Sequence, residues 1–266
     1  TVAALSRDLA PLMRNHTQLR YQMNPLAGVY STTVAAARAA RPAGGGVLVP
    51  TSQGAALGAT HAAGTRPPLL VLVVGETARA DHFGLNGYGR DTTPELARRQ
   101  VLSWRQVRSC GTSTLASVPC MFSPLGKRAF ESRKQDYENL LDVAQAAGLA
   151  VLWVENQDGG CKGVCERVPH VRAADGLPDA TRQALCADGE CSDEAMLAGL
   201  DARLAVLPEA RRQSGVLLVM HQMGSHGPAY YKRSLPAAKR FLPECRTEVL
   251  ADCSQADLLN AFDNTI

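Results

Sequence analysis

Three short, almost wholly apolar runs separated by helical patterns constrain the fold of this chain more than any other feature. They occupy residues 69–75, 149–154 and 215–220 of the 266 residues. Runs of this length and composition are typical of strands covered on both faces, as in parallel sheets flanked by helices. None approaches the ~20 apolar residues that a membrane-spanning helix requires. We therefore expect an α/β protein with a mainly parallel sheet in an α/β/α sandwich.

Helical patterns fill the intervals between the apolar runs. Thr93 and Pro94 have the residue types of a helix N-cap and a first helical position. The stretch 257–266 is patterned as a helix but carries no stop signal, so we expect the chain to be a fragment of a longer protein. The helices predicted here are 116–122, broken by Pro119, then 136–147, 193–207 and 257–266.

Changes in composition divide the chain into three parts. Residues 1–40 mix polar and apolar types with weak helical character, and residues 41–68 are rich in Pro, Gly, Ala and Thr, as linkers are. The alternation of strands and helices starts at residue 69. We predict a separate first segment at 1–40, a linker at 41–68 and a compact domain at 69–266.

The overall charge disfavours one class of partner. The net charge of +3 fits work near acidic phosphate or lipid headgroups without requiring it. No basic run with interleaved aromatic residues occurs, and neither does the spacing of a zinc finger or a helix-turn-helix. We therefore expect no nucleic-acid partner.

The eight cysteines fall into four pairs that are close in sequence. An even number in close pairs indicates disulfides in an oxidising compartment or metal sites in a reducing one. The spacing differs from pair to pair, so we favour disulfides and keep metal sites as the alternative. The pairs are Cys110 with Cys120, Cys161 with Cys165, Cys186 with Cys191 and Cys245 with Cys253.

A carboxylate and a hydroxyl-rich loop form the strongest candidate for a chemical site. Glu76 follows the first apolar run, where a carboxylate either ligates zinc or another divalent cation or simply ends the strand in solvent. Residues 112–114 read Thr-Ser-Thr. They are either a turn or helix N-cap, or a nucleophile at a helix N-terminus that favours phosphate. Because hydroxyls attack poorly at neutral pH, such a nucleophile needs a base or a cation.

Three further side chains follow predicted strands. The C-terminal ends of parallel strands meet at one edge, so we expect these residues to gather near Glu76. We interpret His221, which abuts an apolar run, as a satisfied core histidine, and His226 as a candidate metal or phosphate ligand. Lys162 lies between two cysteines and either contacts a phosphate or is a solvated surface charge.

Six short motifs follow one another along the chain: 75–79 (Gly-Glu-Thr-Ala-Arg), 86–88 (Asn-Gly-Tyr), 92–94 (Thr-Thr-Pro), 109–123, 161–165 (Cys-Lys-Gly-Val-Cys) and 224–228 (Gly-Ser-His-Gly-Pro). In this order they resemble the motifs of the phosphoethanolamine transferases that modify lipid A, including the mobile colistin-resistance enzymes. The resemblance runs from about residue 15 to residue 266. It implies an alkaline phosphatase/sulfatase-like catalytic domain at the periplasmic face of the bacterial inner membrane, of which 69–266 would be a part, tethered by an N-terminal membrane domain and acting as a monomer. Residues 1–40 would be the bridging segment between the two domains.

The resemblance also implies a reaction and the residues that perform it. Such enzymes move phosphoethanolamine from phosphatidylethanolamine to a lipid A phosphate, with zinc as cofactor, and so confer resistance to polymyxin and colistin. By motif position, Thr114 is the nucleophile that forms a covalent intermediate, and Glu76 and Thr114 bind zinc. Lys162 and His226 match positions that hold the substrate phosphate or a second metal, and all four cysteine pairs match disulfides.

One motif of the family is missing from this sequence. The remaining zinc ligands are expected in a later Asp-His-Gly-Glu motif, which does not occur here. We therefore expect the chain by itself to bind zinc weakly and to lack transferase activity. The alternatives are transfer to core sugars or another glycan, hydrolysis of a phosphodiester or sulfate ester, and a non-enzymatic, disulfide-stapled periplasmic module. The Cys/Ser-x-Pro-x-Arg motif of sulfatases is absent at Cys120.

Overall fold

The computed structural model describes residues 48–58, 61, 66–157 and 159–266. The strands in this part of the chain are β1 (Leu69–Val74), β2 (Ala150–Glu155), β3 (His170–Arg172), β4 (Cys186–Ala187), β5 (Glu190–Cys191) and β6 (Val216–His221). Strands β1, β6, β2 and β3 lie side by side in that order, and every neighbouring pair is parallel. Strands β4 and β5 form a separate antiparallel hairpin. The mainly parallel sheet expected from the apolar runs is confirmed.

Helices connect these strands. The described α-helices are α1 (Pro94–Arg98), α2 (Thr114–Phe122), α3 (Lys127–Ser132), α4 (Leu140–Ala146), α5 (Asp179–Leu185), α6 (Leu200–Ala205), α7 (Glu209–Ser214) and α8 (Gln255–Asp263). Short 3-10 helices lie at Ala80–His82, Gly84–Asn86, Asp193–Met196, Tyr230–Lys232, Pro236–Ala238 and Leu250–Asp252.

Strands β2 and β6 hold the core because both of their faces are covered. On one face, Val151 and Trp153 belong to a buried cluster with Val118 and Phe122 of α2. Alternate residues of the same strands belong to a second cluster, on the opposite face, with side chains of the 3-10 helix 193–196. Because successive residues of a strand point to opposite faces, an unbroken apolar run supplies both clusters at once.

Strand β1 departs from the expectation that it is covered on both faces. Its residues Leu69 to Val73 are 36–62% exposed, and Val74 is the buried member of the strand. In the described part of the chain β1 pairs with β6 alone and forms an edge of the sheet. The prediction was wrong because a short apolar run looks the same at an edge and at the centre of a sheet.

Helix α4 is shorter than the predicted 136–147 because a capping box fixes its start. The Asn139 side chain accepts a hydrogen bond of 2.8 Å from the Leu141 N–H, and Asp142 accepts one of 2.7 Å from the Asn139 N–H. This reciprocal arrangement satisfies N–H groups that a helix start leaves free. Residues 136–138 precede the helix and contact Val49 instead.

The other predicted helices exist with different limits. The stretch 193–207 is interrupted at Gly199, whose φ of +67° ends one helix before α6 begins. Pro119 lies inside α2 and does not break it, because the fixed φ of proline is compatible with a helix that gives up one hydrogen bond. Thr93 precedes α1 as predicted, although its hydroxyl bonds to the Leu85 N–H instead of capping the helix.

A short piece of the predicted linker lies against the domain. Val49 forms a parallel bridge with Tyr137, and the N–H groups of Thr51 and Ser52 each donate a 2.9 Å hydrogen bond to Glu138 Oε2. A hydrogen bond with the Ser52 side chain, followed by those from the Ser52 and Thr51 N–H groups, lowers the pKa of Glu138. The predicted bridging segment 1–40 lies outside the described residues. Among the residues that are described, no helix is long and apolar enough to cross a membrane.

A buried carboxylate attaches α8 to the segment that follows β1. Asp263 is 2% exposed and accepts hydrogen bonds from Tyr88 (3.0 Å) and Arg90 (2.6 Å). Nδ1 of His82 lies 2.6 Å from Oδ1, the other carboxylate oxygen of Asp263. Burial, together with the hydrogen bond to Asp263, raises the pKa of Tyr88. The last described helix is thus held by polar contacts as well as by packing.

We predict that Asp142→Asn lowers stability at neutral pH and reduces acid sensitivity. Arg167 donates hydrogen bonds of 2.7 and 2.6 Å to the two Asp142 oxygens. Burial alone would raise the pKa of Asp142, but hydrogen bonds from Arg167 and from the Asn139 N–H outweigh it, so the pKa lies below its ordinary value. The stabilisation is therefore present above the ordinary carboxyl pKa and is lost as the pH falls through the lowered one.

Urea unfolding at two pH values measures this effect. We expect Asp142→Asn to lower the free energy of unfolding by about 1–2 kcal/mol near pH 7, and by less near pH 3, where the carboxylate is protonating. The control, Asp201→Asn, removes an exposed carboxylate from α6. Equal losses in the two variants, or a loss that does not vary with pH, would contradict the prediction.

Candidate active site

The register of the parallel strands brings the candidate residues to one edge of the sheet. Val74 of β1 pairs with His221 of β6, and His221 pairs with Glu155 of β2. The three strands therefore end at the same level. The segments that follow them directly contain Glu76, the 156–162 loop and the 222–228 loop. The predicted gathering of these segments is confirmed.

Glu76 and Thr114 make the central contact of this edge. The Thr114 hydroxyl donates a hydrogen bond of 2.8 Å to Glu76 Oε2. Glu76 is buried, with 7% of its surface exposed, whereas Thr114 is half-buried. Both line a groove of about 500 Å³ between residues 75–79 and the 109–121 segment. The Thr114 hydroxyl, oriented by the Glu76 carboxylate, therefore faces a groove that a substrate can enter.

The start of α2 fixes the position of Thr114. Ser113 is the N-cap, and its hydroxyl accepts a 3.4 Å hydrogen bond from the Ala116 N–H, which leaves Thr114 as the first helical residue. A Cβ at Gly111 would lie 2.7 Å from the Ala116 Cβ, so the loop before the helix requires glycine there. The Cys110–Cys120 disulfide joins this loop to the helix it precedes. The positive end of the helix dipole then lies at the Thr114 hydroxyl and favours an anion.

The backbone of Glu76 is held by the loop that follows β6. The Ser225 N–H donates a 2.9 Å hydrogen bond to the Glu76 carbonyl oxygen. A Cβ at Gly224 would lie 2.8 Å from that oxygen and 2.9 Å from the Glu76 nitrogen, and Gly224 has a φ of +53°. Only glycine combines this conformation with this close approach. The 222–228 loop therefore fixes the residue that orients Thr114.

His221 is completely buried, as expected for a core histidine. Its Nδ1 lies 2.9 Å from Glu155 Oε1, yet within the described residues neither ring nitrogen has a well-aligned hydrogen bond. Glu155 instead accepts hydrogen bonds of 2.8 Å from the Trp153 indole and the Gln157 N–H. The burial expected for a core histidine is therefore confirmed. The hydrogen bonds that would satisfy its ring nitrogens are not found among the described residues.

Lys162 and His226 lie on loops at the same edge but do not line the groove beside Thr114. The Lys162 ammonium donates a 2.6 Å hydrogen bond to the Gly159 carbonyl oxygen. His226 is exposed, and its N–H bonds to the Met223 carbonyl oxygen at 3.2 Å. Their predicted contact with a substrate phosphate stays a prediction.

All eight cysteines form the four disulfides favoured from the sequence, and no described cysteine is free. Two of these disulfides lie close to the site in sequence. Cys110–Cys120 joins the loop and helix of Thr114, and Cys161–Cys165 closes the loop of Lys162. Each of these two disulfides thus restricts a loop beside the site.

A divalent cation would find two oxygen donors here, the Glu76 carboxylate and the Thr114 hydroxyl. Zinc sites in proteins use three or four protein ligands. Among the residues that the structure describes, no group of three or more His, Cys, Asp or Glu side chains could hold a metal ion. The described residues therefore do not complete a zinc site.

The sequence did not reveal two residues that support the site, Asp193 and Arg233. Asp193 accepts hydrogen bonds from the Met223 and Gly224 N–H groups, and Arg233 donates one to the His226 carbonyl oxygen. Asp193 stands at the start of a predicted helix, where an acidic residue needs no further explanation. Their contacts join segments that are distant in sequence, so no local pattern indicates them.

Comparison with known proteins finds a matching family model and several relatives of this chain. A family model described as Sulfatase matches residues 68–266. The phosphoethanolamine transferase EptA of Salmonella typhimurium is 45% identical over 205 residues, which are 76% of this chain and 36% of that protein. The phosphatidylethanolamine transferase Mcr-1 of Escherichia coli is 40% identical over 270 residues, covering 100% of this chain and 49% of that protein.

Two solved structures of lipooligosaccharide phosphoethanolamine transferase A from Neisseria meningitidis have a similar fold. Its soluble domain matches with a TM-score of 0.73 and 40% identity, over 82% of this chain and 63% of that chain. The integral membrane protein matches with a TM-score of 0.72 and 36% identity, over 99% of this chain and 47% of that chain. The chain spans half the length, or less, of the curated relatives described above.

We predict that Gly224→Ala destabilises the protein more than Gly176→Ala does. Both glycines have a positive φ, of +53° and +68°, so both variants incur about 1 kcal/mol of backbone strain. A Cβ at Gly176 meets nothing within 4 Å, whereas one at Gly224 meets the Glu76 backbone. We expect a further loss of about 1–3 kcal/mol at Gly224, measured by urea unfolding. Equal losses would mean that the Glu76 backbone can move aside.

Proposed function

This chain belongs to the sulfatase family and has an alkaline phosphatase/sulfatase-like fold, and from this premise we propose that it carries the nucleophile of a phosphoethanolamine transferase. The observation that carries the proposal is the 2.8 Å hydrogen bond from Thr114 to the buried Glu76, at the start of a helix and beside a groove. The names of its relatives support it, since they are phosphoethanolamine or phosphatidylethanolamine transferases.

The proposed donor is phosphatidylethanolamine and the proposed acceptor is a phosphate of lipid A. The name of Mcr-1 contains the donor, and that of the Neisseria enzyme contains a lipooligosaccharide. Addition of an amine to such a phosphate reduces the negative charge that cationic polymyxins recognise, so the reaction would confer polymyxin and colistin resistance. Transfer to a core sugar or another glycan is the alternative, and it would use the same nucleophile.

In the first step, the Thr114 oxygen attacks the phosphorus of the donor. A new Thr114–phosphorus bond forms, and the bond from phosphorus to diacylglycerol breaks, so diacylglycerol leaves with a proton. Glu76 Oε2 accepts the hydrogen bond of the attacking hydroxyl, and so orients it and offers the nearest described site for its proton. In the second step, an acceptor phosphate oxygen bonds to phosphorus and the Thr114–phosphorus bond breaks. Thr114 regains its hydroxyl with the proton that the acceptor phosphate gives up.

Charge builds on the phosphoryl oxygens during both steps and needs positive groups nearby. The N-terminus of α2 supplies a partial positive charge at Thr114. Lys162 and His226 are the proposed phosphate contacts from the neighbouring loops. To reach the phosphate, the Lys162 ammonium exchanges its hydrogen bond with the Gly159 carbonyl oxygen for a stronger charge-assisted one.

The four disulfides support a periplasmic location, because such bonds form and persist in oxidising compartments. A membrane-anchored position at the periplasmic face of the inner membrane would bring the groove to its lipid substrates. The integral membrane protein from Neisseria, which this chain matches over 99% of its own length, supports that position. We propose that the protein works there as a monomer.

Zinc is the proposed cofactor, and Glu76 and Thr114 would be its ligands in this chain. A bound zinc ion supplies positive charge that lowers the pKa of an oxygen ligand. The described residues do not complete a zinc site, and in this chain the groups that orient and activate Thr114 are Glu76 and the N-terminus of α2.

We predict that Thr114→Ala abolishes transfer. In bacteria that express the complete protein, the phosphoethanolamine adduct of lipid A should fall by roughly 10³-fold or more, because the attacking oxygen is gone. Thr114→Ser keeps a hydroxyl and should retain measurable transfer. Intact-mass spectrometry of lipid A measures all variants.

The control is Thr181→Ala, the same substitution on α5, and it should leave the adduct unchanged. An adduct that survives in Thr114→Ala would refute the nucleophile assignment. A Thr114-dependent adduct on a core sugar would keep the chemistry and change the acceptor, and an unmodified envelope throughout would favour a binding module.

We also predict that the purified 266-residue chain binds zinc substoichiometrically and does not turn over. Two oxygen donors are too few for tight binding. After dialysis against a zinc buffer, metal analysis should find well under one zinc per chain, and Glu76→Ala should lower that amount further. Stoichiometric zinc with turnover that a chelator removes would overturn the prediction.

A further inference from the structure

One carboxylate holds the backbone of the loop that follows β6. Asp193 Oδ1 accepts a 2.8 Å hydrogen bond from the Met223 N–H, and Oδ2 accepts one of 2.9 Å from the Gly224 N–H. Each carboxylate oxygen thus serves one of two consecutive N–H groups. Because Gly224 lies against the Glu76 backbone, the carboxylate also fixes the distance between this loop and the end of β1.

A buried arginine holds the same loop at its other end. Arg233 Nε donates a 2.8 Å hydrogen bond to the His226 carbonyl oxygen, and Nη1 donates one of 3.0 Å to Glu190 Oε2. The arginine side chain is 5% exposed. A buried guanidinium with both an ion-pair partner and a backbone acceptor has little freedom to move.

Asp193 and Arg233 are both connected to the β4–β5 hairpin. Asn156 Nδ2 donates hydrogen bonds to the Cys191 carbonyl oxygen (3.0 Å) and to Asp193 Oδ1 (2.7 Å). Glu190, the ion-pair partner of Arg233, belongs to β5. The Cys186–Cys191 disulfide closes the hairpin. The hairpin is therefore a fixed support to which the 222–226 loop is attached at two points.

We propose that Asp193 and Arg233 are positioning residues for the transfer reaction. They hold residues 222–226 in the one conformation that seats Gly224 on Glu76 and places His226 at the edge of the sheet. The inference rests on the proposed function, because it assigns the support to a reaction at Thr114. Neither side chain lines the groove, so both act through the loop and through Glu76.

The chemistry of the two side chains makes conservative substitutions informative. Asn at position 193 keeps the shape but offers one oxygen and an N–H₂ group, so it can serve only one of the two N–H donors. Lys at position 233 keeps the charge but has a single nitrogen on a flexible stem, so it cannot reproduce the fixed pair of hydrogen bonds. Each variant removes one attachment without deleting the side chain.

Hydrogen exchange with mass spectrometry on the complete protein tests the attachment itself. We expect Asp193→Asn and Arg233→Lys to speed the exchange of a peptide that covers residues 222–227 by about 10-fold, with no change in a peptide that covers α2. The matched controls are Asp201→Asn and Arg128→Lys, which change exposed residues of the same types. Unchanged exchange at 222–227 would overturn the proposal.

Steady-state kinetics on the same variants test the role in the reaction. A small displacement of Glu76 misorients the nucleophile, so we expect kcat to fall by about 10–100-fold and KM for the donor to change by less than about 3-fold. Faster exchange at 222–227 with kcat equal to that of the controls would overturn the positioning role.

The hydrogen-exchange and kinetic experiments together separate this inference from the proposed function. If the unsubstituted protein transfers no phosphoethanolamine, the proposed function fails, and the exchange arm still decides whether Asp193 and Arg233 hold the loop. If the unsubstituted protein is active and the substitutions affect only its unfolding temperature, the proposed function stands and this inference fails.

Discussion

The parallel register of β1, β6 and β2 is the constraint on which the site depends. Val74, His221 and Glu155 stand side by side across the sheet, so three loops that are distant in sequence leave it at the same level. The ladder is rigid because β2 and β6 are covered on both faces by apolar clusters. A slip of one residue would turn the side chains of a strand to the other face and would move the loop that follows out of level with its neighbours.

Beyond the sheet, main-chain contacts and a disulfide fix the positions of Glu76 and Thr114. Glu76 is fixed by a hydrogen bond from the Ser225 N–H and by the close approach of Gly224, and Asp193 fixes Gly224 in turn. On the other side of the groove, the Cys110–Cys120 disulfide and the Ser113 cap set the first turn of α2. The hydrogen bond between Thr114 and Glu76 therefore joins two supports that are each rigid for independent reasons.

Local patterns predicted the parts of this structure that depend on neighbouring residues. The apolar runs gave the three main strands. The contact between Glu76 and Thr114 joins residues 38 positions apart, and the family resemblance indicated it, not a local pattern. The exposure of β1 could not be predicted, since the position of a strand within a sheet is a property of the whole chain. Asp193 was missed for the same reason, because its partners lie 30 and 31 residues away. The interruption at Gly199 was a local signal that the helical pattern around it concealed.

The distribution of charge in the groove suits it to orient Thr114 more than to stabilise a negatively charged phosphoryl group. Within the described residues, the groove beside Thr114 contains one carboxylate, and its arginine, Arg79, forms a 2.6 Å ion pair with Asp81. The Lys162 ammonium is bonded to a carbonyl oxygen outside the groove. A phosphoryl group at Thr114 would thus meet the helix N-terminus and the negative Glu76 together. For the proposed transfer, cations would have to reach this point, because the developing charge would otherwise face a carboxylate of the same sign.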